Sequence, residues 1–283
     1  MPIALLPDRA VVTVSCEDAE SFLQGILTCN VETLEPGEAR LGALLSPQGK
    51  ILFDFLVSRT GEGFRLEAAA EKMADLVKRL GLYRLRAKVA IAADPALVVA
   101  ASWDGSETSA EVESIRDGRL PALGRRLYAG TGAFSADAGE DAYHAHRIAL
   151  GIPEGGRDFA YGDAFPHEAL MDQLGGVDFK KGCYVGQEVV SRMQHRGTAR
   201  TRVVPVVFVN GEAPEPGTEV TAGQKVLGVT GSRAGTRGLA TIRLDRLADA
   251  LVTGEPLRAG GAMLGVVKPA FATFAFPEMG VAG

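Results

Sequence analysis

The residues best equipped for chemistry fall in one stretch, Lys180-Lys181-Gly182-Cys183-Tyr184-Val185-Gly186-Gln187-Glu188. It brings a thiol, two ammonium groups and a carboxylate together around two glycines. Val189, Val190 and Met193 follow at helical spacing, which predicts a helix from Gly186 or Gln187. Glu188 then lies in the first turn, where negative charge complements the helix dipole. Cys183 falls just ahead of that positive end, beside Lys180 and Lys181. Both surroundings favour thiolate, so an activated cysteine is expected. The glycines allow a tight turn and close approach of a ligand to the backbone. The alternative is a buried cysteine at a strand-to-helix turn, packing as a small hydrophobe.

Three further features bear on the site. Arg192, His195, Arg196, Arg200 and Arg202 form a local positive excess beside Cys183, either a solvated linker face or a landing site for an organic anion. Asp54 is the one charge in the apolar run Ile51 to Val57, and it faces either water or a polar cavity. The segment Gly155 to Gly176 is long, polar and without regular pattern, and it carries Asp158, Asp163, His167, Glu168 and Asp172. A segment of that kind inside a compact domain is more often functional than neutral.

Composition narrows the field. With 283 residues, 46% hydrophobic and 23% charged, the chain can build two or three units, each with its own core. A net charge of -5 argues against direct gripping of nucleic acid through phosphates. No apolar run approaches the ~20 residues of a membrane span, and no membrane partner is expected. The opening residues MPIALLPDRA lack a leader pattern, which sets a cytoplasmic expectation. Cys16, Cys29 and Cys183 form no CxxC pair and cannot supply the four thiolates of a usual iron–sulfur cluster. His144, His146, His167 and His195 include no HExxH, so no metal site is expected. Phosphate-loop, dinucleotide and serine-elbow motifs are also missing from the sequence.

The elements that position these residues read as follows. Arg9 to Val14 is a strand, and Ser15 is an N-cap for a helix from Asp18 to Leu27. Cys29 sits half-buried at that helix end. Leu41 to Leu45 and Lys50 to Ser58 form a hairpin about Ser46-Pro47-Gln48-Gly49. Phe64 to Ala68 is a strand, and Glu71 to Leu80 a helix stopped by Gly81. Strands follow at Lys88 to Ala92 and Leu97 to Trp103. Gly105 to Gly139 reads as loop with short extended pieces such as Arg125 to Tyr128, and Asp141 to Leu150 as a helix. After Gly197 the pattern is all-β, with strands at Arg202 to Val209, Glu219 to Ala222, Lys225 to Ser232, Gly238 to Arg243 and Ala262 to Val267. Short strands at that spacing suggest a small barrel or sandwich. The fold class is therefore α+β.

Lys181-Gly182-Cys183-Tyr184-Val185-Gly186-Gln187-Glu188 resembles, at every position, the K-G-C-Y-x-G-Q-E signature of the YgfZ family, which includes a mitochondrial iron–sulfur assembly factor. The likeness extends through Phe22 to Thr28, Leu44 to Asp54, Gly151 to Asp178 and His195-Arg196-Gly197. The family is similar in fold to the glycine cleavage T protein, an aminomethyltransferase with three domains in a cloverleaf around a channel for tetrahydrofolate. The resemblance implies a discontinuous first domain (1–40 and 118–200), a ferredoxin-like α+β domain (41–117) and a C-terminal β-barrel (201–283). It also implies tetrahydrofolate as cofactor, with Lys181, Cys183, Gln187 and Glu188 facing the channel; Asp54 is the candidate partner of the pterin, and Tyr184 is counted among the folate-binding residues. Arg192 and Arg196 would meet the folate tail. Cys183, poised by Lys181, would act as nucleophile, redox thiol or transient cluster ligand. The implied role is assembly or repair of iron–sulfur proteins, with client proteins or assembly factors as partners. A folate-dependent aminomethyltransferase and a factor acting indirectly on tRNA modification are the competing readings. Two departures stand out: Cys29-Asn30 replaces the family's usual Asn-Asp, and Phe53-Asp54 replaces the paired aspartates of the aminomethyltransferases.

Overall fold

The computed structural model describes residues 2–104, 112–133, 135–209 and 211–277. The chain divides into two compact units, Met1–Tyr143 with Leu174–Ser191, and His144–Gln173 with Arg192–Gly283.

The first unit holds β1 (Ile3–Leu5), β2 (Arg9–Ser15), α1 (Ala19–Ile26), β3 (Glu38–Leu45), β4 (Ile51–Thr60), β5 (Gly63–Ala69), α2 (Met73–Arg84), β6 (Ala90–Ala93), β7 (Leu97–Ser102), β8 (Glu113–Asp117) and β9 (Arg125–Gly130). Two helices, α3 (Glu140–Leu150) and α4 (Gln187–Arg196), carry the chain from one unit into the other. The strands form one nine-stranded sheet in the order β1-β7-β9-β8-β3-β4-β5-β2-β6. It therefore unites segments on both sides of the boundaries expected at 40 and 117. The β3–β8 pair is parallel.

Period-two alternation explains the two faces of the sheet. Phe53, Phe55 and Val57 of β4 join Phe22, Leu23 and Ile26 of α1 and Leu76 and Leu80 of α2 in one apolar core. The intervening residues Asp54, Leu56 and Ser58 point the other way. Leu56 is paired with Glu67, and Ser58 with Arg65, so these share a face. That face is sealed by charge. Tyr128 Oη donates to Glu67 Oε2 at 2.7 Å, Arg9 Nε donates to Glu67 Oε1 at 3.1 Å, and Arg126 Nε lies 3.7 Å from Glu67 and 3.5 Å from Asp117. Strands β8, β3 and β4 stand between β9 and β5 in the ladder. A flat sheet would hold β9 and β5 about 19 Å apart. The sheet must roll until its two arms face each other, and Glu67 and Tyr128 meet across the interior.

The second unit contains β10 (Thr201–Phe208), β11 (Glu219–Ala222), β12 (Lys225–Ala234), β13 (Arg237–Arg243), α5 (Leu244–Thr253), β14 (Leu257–Ala259) and β15 (Ala262–Val266). The strands close into a six-stranded barrel, β10-β13-β12-β11-β14-β15. Val204, Val206, Val220, Leu227 and Ile242 are in its core.

The structure departs from the sequence reading at several elements. Helix α1 starts after Asp18, because Ser15 finishes β2 and Cys16 turns the chain with φ 81°. Gly81 does not stop α2, which continues to Arg84: packing of Leu76 and Leu80 on the sheet outweighs one poor helix former. Cys29 is fully buried, 1% exposed, rather than half-buried. The C-terminal region is not all-β, since Leu244, Leu247 and Ala250 anchor α5. Strands β1, β8 and β14 were not anticipated. Within the segment expected as loop from Gly105, residues 105–111 lie outside the described residues; β8 is added there, while β9 covers the extended piece expected at Arg125 to Tyr128.

Candidate functional site

Asp178 builds the loop that presents Cys183. Its Oδ1 accepts the backbone N–H groups of Lys180 at 2.7 Å and Lys181 at 3.1 Å, an Asx turn that reverses the chain ahead of the motif. Burial would raise the pKa of this carboxyl, but hydrogen bonds from Lys180, Asn30 and Lys181 outweigh it and hold the group below the usual aspartate range. The loop is then tied to the end of α1. Asp178 N–H donates to Thr28 O at 2.9 Å, and Thr28 Oγ1 donates to Gly176 O at 2.6 Å while accepting Ala43 N–H at 2.8 Å.

Lys181 completes the attachment. Its ammonium is buried and donates to Leu27 O and Cys29 O, both at 2.7 Å, carbonyls left unpaired where α1 ends. Burial lowers its pKa, against the opposing pull of Cys29, Asp178 and Glu32. The charge of Lys181 is therefore directed at the turn after α1. Its ammonium also lies 5.5 Å from the ring centroid of Tyr184. The Tyr184 hydroxyl is buried without a hydrogen-bond partner among the described residues, and burial, then Asp178, pushes its pKa up to about 12.

Gly182 and Cys183 are exposed at the apex of the loop. The sealed alternative thus applies to Cys29, whose thiol burial pushes up to about 11 against Lys181 and Arg40. Gly186 then turns the chain into α4 with φ +80°, and a Cβ there would meet Ser46 O at 2.6 Å. A Cβ on Gly49 would meet Val189 Cβ at 3.0 Å. The β3–β4 turn and the start of α4 fit only as glycine against glycine.

Gln187 and the exposed Glu188 occupy the first turn of α4, as the spacing implied. Glu188, Arg192 and Arg196 recur every fourth residue and share one side of α4. Arg192 and Arg196 are exposed. Arg202 is separate from them: it is buried and its Nη1 donates to Asp172 Oδ1 and His167 O, both at 2.6 Å. The basic stretch is therefore not one continuous landing site. Asp54 is 8% exposed on the sheet face opposite α1 and α2, among Leu56 and Ser58, so it does not sit on a wet face.

Much of the polar segment 155–176 serves the second unit's own structure. Arg147 Nη1 donates to Asp158 Oδ2 at 2.8 Å, and Asp158 Oδ1 accepts Ser232 N–H at 2.7 Å, tying the segment to β12. Asp178, Thr28 and the Glu67 network were missed by the sequence reading. Asp178, two residues before Lys180 and four before Gly182, carried a usable Asx-turn signal; Glu67 carried none, since its partners come from strands remote in sequence.

Residues 200–274 match the CAF17 C-terminal β-barrel domain. The chain is 32% identical over 291 residues to the mitochondrial iron–sulfur cluster assembly factor IBA57 homolog of Pyricularia oryzae, covering 90% of this chain and 75% of that one. The chain belongs to the IBA57 family. The human mitochondrial iron–sulfur cluster assembly factor IBA57 is 34% identical over 261 residues, with 81% of this chain and 72% of that one covered. The Neurospora crassa homolog is 32% identical over 239 residues, and this chain spans 54% of its length. The YgfZ resemblance is thereby narrowed to its IBA57 relatives. The fold is that of the glycine cleavage system aminomethyltransferase T of Bartonella henselae, with a TM-score of 0.74 at 17% identity over 95% of this chain and 86% of that one. The cytoplasmic expectation is corrected: the IBA57 relatives are named mitochondrial and point to the mitochondrion. That expectation rested on the makeup of the opening residues, which carries no information on where the chain works.

Proposed function

We propose that this chain supports the assembly or repair of iron–sulfur proteins, with tetrahydrofolate as a bound cofactor and Cys183 as the working thiol. The observation that carries the reading is the presentation of Cys183: an exposed thiol on a loop fixed by Asp178, Lys181 and Gly186. A rigid base under a solvent-facing sulfur suits a group that must meet a second molecule. One thiol donates one bond to a cluster, so a cluster handled here is cargo shared with a client protein, an assembly factor or a small thiol.

The residues present fit a folate. Tyr184 offers a buried hydroxyl that lacks a partner among the described residues, and Asp54 offers a buried carboxylate of the kind that pairs with a pterin. Gln187 and Glu188 add polar groups at the start of α4. When bound, tetrahydrofolate supplies a carrier for one-carbon groups. Calorimetric titration with tetrahydrofolate tests the cofactor. Wild type should bind, and Asp54→Ala should bind about tenfold or more weakly, the loss of one buried charge-assisted hydrogen bond. Absence of heat from the wild type removes folate from the proposal. Cys183→Ala should keep folate affinity and folding while losing the ability to sustain iron–sulfur enzymes in cells. Full activity of that variant removes the thiol.

A further inference from the structure

The turn that closes α2 carries two costs that no contact among the described residues repays. Arg84-Leu85-Arg86-Ala87 is a tight turn, with Ala87 N–H donating to Arg84 O at 2.8 Å. Leu85 takes its second position at φ 44° and ψ -108°, the left-handed conformation for which a turn of this kind selects glycine. The same side chain is 88% exposed. A residue that is both strained and in water gains nothing from its own fold there. Leu82, one turn earlier on α2, is 63% exposed.

Cations surround these two leucines. Lys78, Arg79, Arg84 and Arg86 are all exposed, and none makes an ion pair with another described residue. Lys88 is exposed and paired with Glu17 at 2.8 Å. Asp75 is the acid on this side of α2. In a chain of net charge -5 the cluster is a local reversal of sign. At short range Asp75 and Glu17 offset part of this charge and the cations still outnumber them, while salt screens charges beyond about 8 Å.

We infer that the end of α2 is a docking surface for an anionic lipid bilayer, with Leu82 and Leu85 entering the headgroup region and the arginines pairing lipid phosphates. Exposed leucines flanked by Lys and Arg match interfacial membrane contact. A protein partner would instead call for a larger contiguous apolar patch than two leucines. The contact is peripheral, since no helix among the described residues is long and apolar enough to cross a membrane.

Flotation of the full chain with vesicles tests this. Wild type should float with phosphatidylcholine vesicles containing about one third phosphatidylglycerol, and stay behind with phosphatidylcholine alone. Arg84→Glu/Arg86→Glu should lower the bound fraction by about tenfold or more, and added salt should do the same. Leu85→Gly separates docking from folding: it relieves the strained φ, so its Tm should match or exceed wild type while flotation falls severalfold. Failure of the wild type to float with anionic vesicles overturns the inference, as does undiminished flotation of Leu85→Gly. Retention of a non-floating wild type on polyglutamate resin, lost in Arg84→Glu/Arg86→Glu, would assign the surface to an acidic protein and equally overturn it.

Discussion

Lys181 is the motif residue whose removal should separate architecture from chemistry. In Lys181→Met the apolar stem is kept and the ammonium is lost. Two hydrogen bonds to Leu27 O and Cys29 O disappear, and both carbonyls stay buried. A bond from a charged donor contributes about 1.5–3 kcal/mol, and a stranded buried acceptor costs a comparable amount. Against this, the variant no longer has to bury a cation, and burial already lowers the Lys181 pKa. The net loss should be about 2–4 kcal/mol, or about 6–12 °C in Tm. Thiol labelling localises the damage. Wild type should titrate Cys16 and Cys183 quickly, both being exposed, and Cys29 slowly. In Lys181→Met, Cys29 should join the fast class as the turn after α1 loosens, while Cys183 labels as before. The pH dependence has a definite sign. Between the lowered folded pKa and 10.5 the native chain holds fewer protons than the unfolded one. Wild-type stability therefore gains with pH across that window, and the variant loses this slope. A variant with wild-type stability and a protected Cys29 would refute the structural role and return Lys181 to the chemistry of Cys183.

Three other outcomes follow from the same geometry. Gly186→Ala places a Cβ 2.6 Å from Ser46 O at φ +80°, and should cost about 2–4 kcal/mol in urea unfolding; a loss under 1 kcal/mol would show that the β3–β4 turn yields freely. Glu67→Gln leaves Arg9 and Arg126 buried with one fewer counter-charge, and should destabilise by about 3–5 kcal/mol, measured by chemical denaturation. For His167, burial lowers the pKa below 6.5 more than Asp172 and Gln194 raise it. The folded state then holds fewer protons than the unfolded state just below pH 6.5, so stability should fall as pH drops through that region, and His167→Gln should flatten the dependence.

Local signals served the sequence reading well. The α4 start at Gln187, the β3–β4 hairpin and the barrel strands could be read because spacing, turn residues and alternation act within a few residues. The exposure of Cys183 was legible for the same reason: glycine and charge around it mark a polar turn, whereas Cys29 is buried. What escaped depended on distant partners. No local pattern shows that Glu67 will meet Tyr128, or that Lys181 will reach back to Leu27 and Cys29. Activation of Cys183 by Lys181 was inferred from adjacency in sequence, yet a neighbour's charge acts where its ammonium points. Helix α5 was overlooked although Leu244, Leu247 and Leu251 have helical spacing, because the strands on either side set the expectation.

The rolled sheet also constrains the order in which the protein can come into being. Arg9 and Glu67 have emerged from a ribosome long before Tyr128 and Arg126, so a nascent chain ending near β6 carries an interior carboxylate and only part of its counter-charge. Completion of the first unit waits further still, for Asp178 and Lys181 to clamp the turn that follows α1. The loop that displays Cys183 is thus among the last parts of its unit to be secured, and the thiol gains its footing only once most of the polypeptide has been made.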